Sequence, residues 1–251
     1  MRHAGRPMTD VLHLAPAAFA AVIVVVAIGA AVQGTVGFGA NLVVVPVVAV
    51  AEPAALPVVP MLLVVPLAVA MVRREPHGVD RRAVGWLMVG RLPGTLIGAW
   101  VVARVGVDTI SVLCGAGVLV AVITSLLTTT MRVTPTTTVA AGVASGALGT
   151  ATSIGGPPVA LLYQHHEGPV LRATLAATFA LGTVLSLAAL VVAGVVDGWH
   201  VWLALALLPG TAAGIAASGW LARRADAGWL RPAILAFAAV TAVVAIARGW
   251  P

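Results

Sequence analysis

Between residues 15 and 32 the chain carries no charged side chain, and runs of the same kind recur almost to its end. Each run needs surroundings that ask for no polar cover, and the interior of a soluble domain cannot house so many. Charged residues make up 9% of the 251 positions and the mean hydropathy is +1.08, so 8 acidic and 14 basic side chains are too few to cover a body of 25.2 kDa. Lipid is the solvent that fits. At roughly 20 to 25 residues per crossing, the length holds about eight to ten crossings and leaves little for an extramembrane domain. The chain is therefore read as one integral membrane domain over 1–251, an all-α polytopic protein of the cell membrane.

The net charge of +6 comes from arginine alone, since the chain has no lysine. In a soluble protein such a balance suggests nucleic acid. Here the arginines sit mostly at the ends of apolar runs, where they orient the chain in the membrane, and the loops are too short to present a basic face. Nucleic acid is thus excluded as a partner, the bilayer being one partner and a homodimer a further option. The single Cys114 allows no intramolecular disulfide. No phosphate loop or dinucleotide fingerprint is visible, so no cofactor is expected. Adjacent His165 and His166 diverge by about 100° on a helix and lack further ligands, so no metal site is expected.

Ten apolar segments are legible, at 15–32, 37–50, 56–72, 83–103, 107–128, 139–152, 157–164, 170–192, 201–222 and 230–247. The second and seventh are too short to span. Fourteen residues rise only about 21 Å as a helix against a hydrocarbon core of about 30 Å, which suits a half-helix or re-entrant segment.

An internal repeat organises the segments. A shift of 116 carries Gly39 to Gly155, Pro53 to Pro169, Gly78 to Gly194, Trp86-Leu87 to Trp202-Leu203, and Pro93-Gly94-Thr95 to Pro209-Gly210-Thr211. Matches on Gly, Pro, Trp and Thr are too informative to be coincidences of Val, Leu and Ala. Two repeats result, about 15–128 and 137–247, with five segments each. An odd number places the second copy upside down, the inverted topology of many secondary transporters. With ten crossings, Arg73, Arg74, Arg81, Arg82, Arg132 and Arg172 share one side with Arg223, Arg224 and Arg231. If each short segment dips in and returns, eight true crossings remain.

The chemistry points to two glycine-rich junctions where a full segment meets a short one. The first reads Gln33-Gly34-Thr35-Val36-Gly37-Phe38-Gly39-Ala40-Asn41, the second Gly149-Thr150-Ala151-Thr152-Ser153-Ile154-Gly155-Gly156-Pro157-Pro158. Glycine followed by proline breaks a helix and starts another. The bared N–H groups of such a start attract an anion. Irregular backbone at membrane depth is tolerated where it is buried or lines a wet cavity. Gln33, Thr35, Gly37, Gly39, Asn41, Thr152, Ser153, Gly155, Gly156 and Pro157 are therefore the candidate binding residues for a small anion. Gly94, Gly98, Gly210 and Gly214, at four-residue spacing, are read as close-packing points.

At these junctions the chain resembles the sulfite exporter family called TauE/SafE. Ser153-Ile154 followed by Gly155-Gly156-Pro157-Pro158 is similar to the family's second-half motif, and Gly37-Phe38-Gly39 to its first. The first copy departs from the family, with Gly39-Ala40-Asn41 where three glycines are usual. The resemblance implies a secondary transporter of small anions such as sulfite, sulfonates or sulfur-containing organic acids.

Arg91 stands inside an apolar segment, and its repeat partner is Leu207. Two readings stand: a fixed cation with bidentate geometry for a sulfonate or carboxylate, or a side chain that snorkels to the surface. Glu52, His165, His166 and Glu167 are the candidates for coupling to protons, against an ordinary role in interfacial turns. An intramembrane enzyme using Ser145 with His165, His166 or His200 is a weaker alternative, and a passive anion channel a closer one.

Overall fold

The computed structural model is helical. The structure describes residues 16–126, 132–163, 168–224 and 230–249, with side chains described outside 222–224 and 230–234. Among them run ten α-helices: α1 (Pro16–Val36), α2 (Ala40–Ala51), α3 (Val58–Arg74), α4 (Arg81–Arg104), α5 (Val107–Leu126), α6 (Pro135–Thr152), α7 (Gly156–Tyr163), α8 (Gly168–Val192), α9 (Gly198–Arg224) and α10 (Leu230–Gly249). Five of them, α1, α4, α5, α8 and α9, are long and apolar enough to cross a membrane. The 12 residues of α2 and 8 of α7 rise about 18 and 12 Å, well short of the hydrocarbon core.

Helix starts follow local chemistry. Asp80 Oδ1 accepts the Ala83 N–H at 3.0 Å and opens α4. Thr134 and Thr137 exchange hydrogen bonds in a capping box, with Pro135 in the first turn. That box starts α6 four residues ahead of the apolar onset at Val139. Hydropathy missed the polar first turn, Thr136 to Thr138, because a cap is read in hydroxyls and not in grease.

The helices reverse the pattern of a soluble bundle. On α4, Leu92, Leu96 and Trp100 are exposed, Leu96 by 67%, while Gly90, Gly94 and Gly98 are buried. These glycines press α4 in parallel against α6: a Cβ on each in turn would collide with the carbonyl oxygens of Val139, Val143 and Ala147. The same seam joins α9 to α1, where Gly210 meets Ile23 O and Gly214 meets Ala27 O. Such contact suits lipid-solvated helices, which gain stability from close van der Waals packing and not from hiding grease.

Both junctions are reversals. Gly29 of α1 faces Ala40 and Val44 of α2, while Phe19 and Val22 lie beside Val48 and Ala51, so α2 folds back along α1. In the other half, Ser145 on α6 reaches Gly155, which fixes α7 back along α6. The main apolar core gathers Val45, Val58, Val59, Cys114, Val118 and Ala238 around these hairpins.

Candidate functional site

The tips of the two hairpins meet. At the first, Gly37 and Gly39 adopt φ of 103° and 110°, where a side chain would be strained. At the second, Ser153 takes a left-handed φ of 63°, rare for a residue with a Cβ. Its Oγ donates to Pro57 O at 2.6 Å, and its carbonyl accepts from Asn41 Nδ2 at 2.7 Å. Asn41 therefore ties one tip to the other.

Between them lies a cavity of about 40 Å³ open to the centres of water-sized groups, space for about two or three waters or one compact oxyanion. Arg91 and Gln33 line it at 2% and 3% exposure. Arg91 does not snorkel. Its Nη1 donates to Ser145 Oγ at 3.0 Å, and that hydroxyl donates onward to Gly155 O at 2.6 Å. Its Nε has no partner. Gln33 Oε1 accepts the Ala40 N–H at 3.3 Å, while its Nε2 is likewise unpartnered. Two buried donors on residues that line the cavity thus have no acceptor, an arrangement that ordinarily costs about 1–3 kcal/mol per group.

Arg91 packs against two residues that lack side chains. A Cβ on Gly182 of α8 would overlap Arg91 Cζ and Nε, and one on Gly149 would come within 3.2 Å of Nη2. Gly39 and Asn41 line the cavity on the first tip. Ser153, Gly155, Gly156 and Pro157 line it on the second. Thr35, Gly37 and Thr152 do not. The hydroxyls of Thr35 and Thr152 bond one turn back, to Ala31 O at 2.7 Å and Leu148 O at 2.8 Å, and Gly37 faces Arg172. Glu52 follows α2 at the end remote from the tip. His165, His166 and Glu167 lie outside the described residues.

The donor set differs from the expected pair of bare helix starts. Pro157 and Pro158 remove two N–H groups from the first turn of α7, and at α2 the Ala40 and Leu42 N–H groups are bonded to Gln33 and to Gly39 O. Sequence reasoning missed Ser145 as the partner of Arg91, and it missed α8. There Phe179, Gly182, Thr183 and Ser186 fall on one helical face toward the site, while Leu181 and Val184 are exposed. Their spacing of three and four residues was the available signal. His200, offered as a base for Ser145, bonds Asp197 and Ala54 O instead. Among the described residues no three His, Cys, Asp or Glu side chains gather as metal ligands.

No curated protein and no solved structure matches the chain. A family model described as Sulfite exporter TauE/SafE matches residues 21–245, a stretch that takes in both hairpins, the cavity and Arg91. With so much of its length covered, the chain belongs to the TauE/SafE sulfite exporter family.

Proposed function

We propose that this chain is a secondary transporter of the cell membrane that binds a small anion between its two hairpin tips, with Arg91 as the fixed countercharge. The single observation that carries the reading is the buried guanidinium itself. Arg91 has a neutral hydroxyl as its hydrogen-bond partner, keeps Nε unpartnered, and lines a cavity beside a second free donor on Gln33. An intramembrane charge is expensive and persists where a partner or ligand compensates it. The family is one of membrane exporters, which favours transport over an enzyme reading.

The inverted duplication belongs to the same proposal. The shift of 116 exchanges the α4–α6 seam with the α9–α1 seam, and the two hairpins with each other. Equivalent helices run antiparallel: Gly249 at the end of α10 meets Asp108 at the start of α5, and Gly78 after α3 meets Pro169 at the start of α8. Antiparallel equivalents are what an inverted repeat requires, and rocking of one half against the other gives alternating access.

The test is uptake of labelled sulfite and small sulfonates into proteoliposomes. The wild type gives saturable flux, and Arg91→Gln lowers it at least about 100-fold, the scale of a lost buried charge pair. Undiminished flux in a folded Arg91→Gln protein would remove the proposed countercharge, and single-channel currents in place of saturation would replace the carrier with a pore.

A further inference from the structure

Resting on that reading, the charges around the cavity say what ionic form it accepts. We infer that the site takes an anion bearing one negative charge and rejects a dianion of the same shape. Among the described residues lining the cavity Arg91 is the one charged side chain. The other polar groups there are neutral, and several are committed. Asn41 Nδ2 is held by Ser153 O, and Ser186 Oγ contacts Thr150 Oγ1 and donates to Gly182 O.

Two further arginines, Arg172 and Arg74, are not among the residues that line the cavity. Arg172, packed against Gly37, is ion-paired with Glu75. Arg74 donates to Ser218 Oγ and Ile215 O at the exposed end of α3. A monoanion beside Arg91 therefore makes the occupied cavity electrically neutral. A dianion leaves one negative charge without a counterpart among the lining side chains.

Methanesulfonate and sulfate separate the possibilities, because exchange of a methyl group for an oxygen changes charge while keeping tetrahedral shape. Both are added as competitors of labelled sulfite uptake into proteoliposomes of the full chain, at matched ionic strength. The expected result is inhibition by methanesulfonate at concentrations at least about 100-fold below those needed for sulfate, with the same order retained in Arg91→Lys, which keeps the single charge. Sulfate competing as well as methanesulfonate overturns the inference and leaves the transport reading standing. Failure of both to compete, while sulfite still enters, also overturns it. Absence of sulfite uptake above protein-free vesicles removes the transport reading and the inference together.

Discussion

Gly182→Ala adds a methyl group where the Arg91 guanidinium lies. The new Cβ would overlap Cζ and Nε and sit 2.7 Å from Nη1. Relief requires the guanidinium to withdraw by about 1.3–1.8 Å to reach ordinary contact, which breaks its 3.0 Å bond to Ser145 Oγ. A hydrogen bond to a charged group is worth about 1.5–3 kcal/mol, and an off-rotamer side chain costs about 0.5–1.5 kcal/mol. The sum is about 2–4.5 kcal/mol, and loss of an Arg91 contact with the anion on the same scale lowers affinity about 30- to 1,600-fold. Concentration dependence of sulfite uptake in proteoliposomes measures this as a raised KM, and thermal unfolding in detergent checks that the fold persists. Gly85→Ala is the matched control: it lies on α4 with Arg91, but a Cβ there meets no atom within 4 Å, so its kinetics should equal wild type. Wild-type KM and kcat in a folded Gly182→Ala protein would refute the claim that Gly182 seats the guanidinium.

Three further expectations concern the surrounding frame. Ser145→Ala strands both Arg91 Nη1 and Gly155 O, so thermal unfolding should report a loss of about 1–3 kcal/mol per stranded group, accompanied by weaker anion binding. Asn41→Ala removes the link between the hairpin tips and should cost about 0.5–1.5 kcal/mol; unchanged unfolding and turnover would show that the tips do not depend on it. Gly94→Leu drives a side chain into the Val143 carbonyl across the α4–α6 seam, and its expected outcome is loss of monodisperse protein on size exclusion.

The positions of both helix breaks were legible in the sequence because glycine and proline act on the backbone they belong to. Breaks at 37–39 and 153–155 fall inside the two junction motifs. Their geometry was not legible, since Gly37 and Gly39 permit a kink as readily as a reversal, and contacts of Gly29 with Ala40 and Val44 decide between them. Arg91 was conspicuous as a charge in an apolar run, yet its direction depended on room left by Gly149 and Gly182, on two other helices. Thr35 and Thr152 misled because a hydroxyl on a helix can satisfy itself one turn back, whereas Ser145, noted only in the enzyme alternative, is turned toward the guanidinium. Sequence reports local breaks and isolated charges well; it reports poorly which neighbour a small residue makes way for.

The crossed seams of α4 with α6 and α1 with α9 have a consequence for biosynthesis. Each half lends its fourth helix to the first helix of the other, so the opening hairpin emerges from the ribosome long before its mate exists. It must wait in the bilayer, with its small-residue flank open to lipid, until α9 has been inserted. A chain cut between α5 and α6 should accordingly yield two fragments that mature only when produced together in the same cell.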